Sequence, residues 1–133
     1  MQPRLLQEVF SVTKLESNSN LSVLCIDSSP GMLLICRALL EANGYSVLTA
    51  SSAQAGLELF KQNRIDAVVM DNELQESAIK LTREMRSICK DLPIVVFSSS
   101  SYPERDYAEI GLFLDKARGP KALLHAIDRI CKS

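Results

Sequence analysis

The stretch Ile65-Asp66-Ala67-Val68-Val69-Met70-Asp71 (IDAVVMD) decides the fold. Its apolar residues run on without alternating, and the run stops at an acid. A strand with one wet face alternates apolar and polar side chains; a strand covered on both faces does not. The run is also too short for a buried helix, which needs about ten residues or more. Ile65 to Met70 therefore reads as a buried strand with Asp71 at its carboxyl end. The same pattern recurs outward in both directions. Leu21 to Ile26 is a strand ending at Asp27, and Tyr45 to Thr49 is a second. Pro93 to Phe97 is a fourth that ends in the serine row Ser98 to Ser101, and Leu112 to Leu114 is a fifth that ends before Asp115 and Lys116.

Between the strands the apolar period changes to that of a helix. Ser28, Ser29 and Pro30 open a helix over residues 30–42 with Met32, Leu33, Cys36, Leu39 and Leu40 on one face, and Asn43-Gly44 closes it. Ser51 or Ser52 caps a helix through Leu57 and Phe60 to about Gln62. A third helix covers 76–89, a short one is expected around 103–109, and Gly119-Pro120 opens the last, with Leu123, Leu124, Ile127 and Ile130. Strand then helix, five times, predicts an α/β domain: a doubly wound, five-stranded parallel sheet with helices on both faces.

The 133 residues suit one domain, and 47% apolar residues supply a core without disulfide staples. The 15 basic and 16 acidic residues leave a formal net charge of -1, which argues against a direct nucleic-acid or membrane footprint. Cys25, Cys36, Cys89 and Cys131 form no CxxC pair, and the single histidine, His125, leaves little for a zinc site. Cys25 and Cys36 lie in apolar runs and read as buried thiols. No apolar run is long enough to span a membrane, and a reducing cytoplasm is the expected location. Residues 1–20 read as a leader, or as a short amphipathic helix carrying Leu5, Leu6, Val9 and Phe10 followed by the polar linker ESNSN; residues 21–133 read as the folded domain.

In an open parallel sheet, ligands bind beyond the carboxyl ends of the strands. Those ends carry Asp27, Asp71, Ser98 and Lys116. A carboxylate to hold a cation, a second to act as nucleophile, a hydroxyl donor and a fixed positive charge together suit phosphoryl transfer. Taken singly, each has a plainer reading: Asp27 as a helix cap, Asp71 as a turn residue, Ser98 as one loop serine of four, Lys116 as a surface lysine. There is no Walker A or GxGxxG motif, so nucleotide binding has little support.

With these residues in place, the sequence resembles the receiver domain of bacterial two-component response regulators, over about residues 21–132. The likeness rests on VLCIDSSP (23–30), GYSVLTA (44–50), IDAVVMD (65–71), LPIVVFSS (92–99) and FLDKA (113–117). The expected strand order is then 2-1-3-4-5, the flavodoxin-like order. The resemblance implies that Asp71 takes a phosphoryl group from a histidine kinase or phosphotransfer protein. It implies that Asp27, Asp71 and the backbone carbonyl of Glu73 hold Mg²⁺ weakly, and that Ser98 and Lys116 bind the arriving phosphoryl group. Phe113 is the implied switch aromatic, and a downstream protein target and a homodimer are the further implied partners. Any catalysis is confined to self-phosphorylation from a phosphodonor and autodephosphorylation. The sequence departs from the family pattern where Ser28 replaces a second acid, Ala117 replaces a proline, and Leu74-Gln75 replaces Met-Pro. The stretch from Ser98 to Lys116 is also about one helical turn short, with Glu109-Ile110 in place of Gly-Ala. The second reading these departures support is an atypical receiver-like module that binds proteins with little or no phosphorylation.

Overall fold

The computed structural model describes residues 21–71, 74, 76–99 and 111–132. In chain order these form β1 (Ser22–Ile26), α1 (Pro30–Ala42), β2 (Ser46–Ala50), α2 (Ala53–Gln62), β3 (Ala67–Met70), α3 (Glu76–Ile88), β4 (Ile94–Ser98), β5 (Leu112–Asp115), a 3-10 turn (Lys116–Arg118) and α4 (Pro120–Lys132). The sheet is five-stranded in the order β2-β1-β3-β4-β5, with every pairing parallel. The expected fold class and strand order are both observed. The segment expected to be helical around 103–109 lies outside the described residues, as do residues 1–20.

The unbroken apolar runs are explained by two cores, one on each face of the sheet. Leu24, Ile26, Val68, Met70, Ile94 and Val96 point to one face, where α2 and α3 bring Phe60, Leu81 and Met85. Val23, Cys25, Ala67, Val69, Val95 and Phe97 point to the other, where α1 and α4 bring Cys36, Leu40, Leu123 and Ile127. Successive strand residues go to opposite faces, so covering both removes any need for polar alternation.

Helix starts resolve as the side chains dictate. Ser29 caps α1, its Oγ accepting the Met32 N–H at 3.2 Å. Ser52, rather than Ser51, caps α2, accepting the Ala55 N–H at 3.1 Å. Strand ends shift by a residue or two. The third strand begins at Ala67, not Ile65; at Asp66 the backbone N–H donates to the Ser22 carbonyl at 2.8 Å, and the carboxylate rather than a backbone carbonyl accepts the Ser22 N–H at 2.8 Å. The fourth runs one residue later than expected, Ile94–Ser98, and the fifth gains Asp115, the register partner of Ser98. Gly111 fixes how close β5 lies to β4: a Cβ there would sit 2.2 Å from the Ile94 carbonyl oxygen.

Candidate functional site

The carboxyl edge of the sheet gathers the residues that chemistry requires. Asp27 follows β1 and is held in line by its own N–H, which donates to the Ala50 carbonyl at 3.1 Å. Asp71 follows β3, and its N–H donates to the Ile26 carbonyl at 3.0 Å. Both continue the side-chain alternation of their strands, so both carboxylates project on the same side of the edge. They are nearly inaccessible, Asp27 at 6% and Asp71 at 2% exposure. A buried carboxylate needs hydrogen bonds and an opposite charge.

Lys116 supplies that charge. Its Nζ donates to Asp27 Oδ2 at 2.7 Å and lies 3.5 Å from Asp71 Oδ2. The other oxygen of Asp27, Oδ1, accepts the Ser29 N–H at 2.9 Å. Asp27 thus closes the turn that leads into α1 and pairs with lysine at once, while the helix cap is Ser29. Burial pulls the Lys116 ammonium toward deprotonation, but the hydrogen bond and charge of Asp27, followed by the charge and hydrogen bond of Asp71, outweigh it and hold its pKa above the ordinary lysine value. Lys116 is steered by the 3-10 turn that it opens, which Asp115 caps by accepting the Ala117 N–H at 2.9 Å. The described residues contain no cis peptide bond, so Ala117 follows Lys116 through a trans bond.

Ser98 is fully buried, at 0% exposure, as the last residue of β4. Its parity is that of Val96, which puts it on the α2–α3 face with Phe113, the register partner of Val96. Phe113 is half-buried against that core. Ser98 and Phe113 thus lie on one face of adjacent strands. The third candidate metal ligand, Glu73, lies outside the described residues. His125 is exposed on α4 and takes no part.

A cleft of about 470 Å³ opens over the cluster, lined by Asp27, Asp71, Lys116, Ser28, Ser99 and Asp115 among others. Ser99, Asp115 and Met32 of α1 were not among the sequence-derived candidates. The signal for Ser99 was strand alternation: if Ser98 faces the core, its neighbour faces the cleft. Beneath the corner, Cys25 and Cys36 are buried free thiols, as expected. Burial, then the charge of Asp27, raises the Cys36 thiol to about 11, with Lys116 opposing.

Among the described residues, no three His, Cys, Asp or Glu side chains are arranged to hold a metal. Mg²⁺ does not require three: it is commonly bound through one or two carboxylates while keeping several waters. The Lys116 ammonium is a stand-in cation here, since it already lies within 3.5 Å of both carboxylates. The corner therefore fits one small cation on Asp27 and Asp71.

Residues 23–128 match the family model described as the response regulator receiver domain. The chain is 30% identical over 111 residues to the transcriptional regulatory protein GlrR of Escherichia coli K12, covering 80% of this chain and 25% of that protein. It is 35% identical over 78 residues to the response regulator MprA of a Mycobacterium species, covering 58% of this chain and 34% of the relative. The chain thus spans about a quarter to a third of these relatives' length. A solved receiver domain protein from Clostridium thermocellum superposes with a TM-score of 0.75 at 27% identity, covering 84% of this chain and 94% of that one. The response regulator TrrA of Thermotoga maritima, solved with Mg²⁺ and BeF, superposes with a TM-score of 0.74 at 20% identity, covering 83% and 98%.

Proposed function

The chain belongs to the response regulator receiver domain family, and from that premise we propose that it is a phosphoacceptor switch, charged at Asp71 by a histidine kinase or a phosphotransfer protein. One observation carries this reading: two buried carboxylates share one lysine at the open edge of the sheet. Such a corner is built to gain or exchange charge. An Asp71 carboxylate oxygen forms the new P–O bond as the donor's P–N bond breaks and its imidazole leaves. Lys116 pairs with the phosphoryl oxygens, and Ser98 donates a hydrogen bond to one of them. Asp27, Asp71 and the Glu73 carbonyl would hold Mg²⁺, which when bound offsets phosphoryl charge. TrrA, with Mg²⁺ and BeF, is the structural neighbour that supports this use of the fold. Recruitment of Ser98 draws it from its place beside Phe113, which turns inward and changes the surface that β5 presents. The phosphoryl group favours that state only as far as it binds it better.

Among the described residues no helix is long and apolar enough to cross a membrane, and a cytoplasmic setting suits the free buried thiols. A protein target and a homodimer are the remaining proposed partners. The test is intact-mass measurement after incubation with a small phosphodonor, with and without Mg²⁺. Wild-type protein should gain one phosphoryl group and Asp71→Asn none. The second reading, a protein-binding module with little phosphorylation, is favoured by Ser28, an exposed hydroxyl on the cleft where an acid is usual. Absence of labelling in saturating donor and Mg²⁺, with partner binding retained, selects it.

A further inference from the structure

We propose that the outward face of α1 is a docking site for this chain's own leading segment: residues 4–15 fold against it as an amphipathic helix, tethered by the polar linker 16–20.

α1 carries two apolar stripes. Cys36 and Leu40 face the sheet and are buried. Opposite them, Gly31, Leu34, Ile35, Ala38 and Ala42 recur at three- and four-residue spacing, and all are exposed. Leu34 is 68% exposed and Ile35 47%. A surface helix normally turns charged and polar residues to the side away from the core. The charged side chains of α1, Arg37 and Glu41, instead pair with each other at 3.2 Å along one flank and leave the outward stripe apolar.

The leading segment has the complementary pattern. At helical spacing Leu5, Leu6, Val9 and Phe10 share one side, and Arg4, Glu8, Ser11 and Lys14 fall opposite. A helix over residues 4–15 would be about 18 Å long, against about 20 Å for α1. A helix that short is marginal in water by itself, so the segment gains its helix from the surface that it covers. The tether fits as well. The linker ends at Leu21, whose carbonyl accepts the Ser46 N–H at 2.9 Å, and Ser46 follows the end of α1 at Ala42 by one short turn. Leu21 therefore lies beside the C-terminal end of the stripe. From Leu15 to Leu21 the chain can reach about 20 Å, and packed helices lie about 8–10 Å apart, so the segment can turn back and run along α1.

A second copy of the chain is the weaker occupant. A stable dimer buries about 800 Å² on each partner, and one helix face with two large apolar side chains falls short of that. A tethered segment needs much less, because a short flexible linker holds it at an effective concentration on the order of millimolar.

NMR of the full chain tests this. In wild-type protein the amides of residues 6–14 should exchange with solvent about tenfold or more slowly than in an unstructured chain. Nuclear Overhauser contacts should join the Phe10 ring to the methyls of Leu34 and Ile35. Leu34→Asp changes a side chain that the core does not use, and it should abolish both signals while the strand amides keep their protection. Phe10→Asp should do the same from the other side and shift the amides of Leu34, Ile35 and Ala38. Exchange of residues 6–14 at the unstructured rate in wild-type protein overturns the proposal, and so does slowed exchange that survives Leu34→Asp. Phe10 contacts found between differently labelled copies overturn it in favour of a second copy. The wild-type contacts decide the matter even where a variant does not fold. No phosphoryl group or metal enters these measurements, so their outcome is separate from the labelling of Asp71.

Discussion

Replacing Asp27 by Asn should cost more stability than replacing Asp71 by Asn, and the gap follows from two distances. Both substitutions remove one charge and keep a side chain able to make neutral hydrogen bonds. Both relieve the same repulsion between the two carboxylates, so that contribution cancels in the comparison. What differs is the tie to Lys116. At an effective dielectric of about 20, opposite unit charges attract by about 6 kcal/mol at the 2.7 Å of the Asp27 pair and about 5 kcal/mol at the 3.5 Å of the Asp71 pair. The ammonium is hydrogen-bonded to both carboxylates, and the bond to Asp27 is the shorter. The difference is about 1 to 2 kcal/mol. Exposure of 13% on the Lys116 side chain and 8% on that of Asp27 leaves little screening to discount. Urea denaturation in chelator at neutral pH measures it, and with an m-value of about 2 kcal/mol per molar the two midpoints should separate by about 0.5 to 1 M. A larger loss in Asp71→Asn than in Asp27→Asn would refute the assignment of Asp27 as the lysine's main partner.

Three further outcomes are expected. Ser28→Asp places a carboxylate on the cleft beside Asp27, so Mg²⁺ affinity should rise by about an order of magnitude in a direct titration; equal affinities speak against the corner as drawn. Gly111→Ala should lose about 3 kcal/mol, because the added Cβ meets the Ile94 carbonyl oxygen at 2.2 Å, whereas Gly31→Ala on α1, with nothing within 4 Å, should be neutral or gain up to about 1 kcal/mol; similar urea midpoints for the two variants would contradict the fold of β5. Tyr45→Phe removes the buried hydroxyl that donates to Asp128 and should cost about 1 kcal/mol. Burial, then the hydrogen bond and charge of Asp128, raises the Tyr45 phenol, so its contribution is whole below the ordinary tyrosine value of about 10 and fades as pH climbs through the folded-state pKa. The gap between wild type and variant should therefore be flat at neutral pH and narrow in alkali; a gap that widens there is incompatible with a raised phenol.

The architecture was open to reading because burial on both faces leaves an unmistakable mark. IDAVVMD has no polar residue between Asp66 and Asp71, and only a strand between two helix layers tolerates that. Strand ends were less legible because they depend on partners far away in sequence. Asp66 meets the Ser22 N–H, 44 residues distant, with its carboxylate rather than its carbonyl, and Ser98 joins the ladder where Asp115 lies opposite. Neither fact is local. The choice between Ser51 and Ser52 as cap was likewise undecidable from composition, since both are serines with a helix just ahead and only backbone geometry at Ser52 brings its oxygen to the Ala55 N–H.

At the candidate site the residue types were legible but their pairing was not. Strand-end position alone marks Asp27, Asp71 and Lys116 as neighbours, and the structure brings them together. Nothing in the string of letters says which carboxylate the lysine prefers. That preference comes from the path after β5. The 3-10 turn capped by Asp115 sets where the lysine stem departs, and the Ser29 N–H pins Asp27 from the other side so that its Oδ2 faces Nζ. A proline after Lys116 would have offered no N–H for Asp115 to cap; Ala117 does, and that hydrogen bond builds the turn. The same logic divides the serine row. Ser98 completes β4 and is buried on the face of Phe113, while Ser99, one residue on, lines the cleft. Departures at Ser28 and Ala117 that look like losses against the family pattern are thus joined in one arrangement. The first leaves an exposed hydroxyl on the cleft beside Asp27, and the second supplies the N–H that Asp115 accepts in the turn from which Lys116 reaches Asp27.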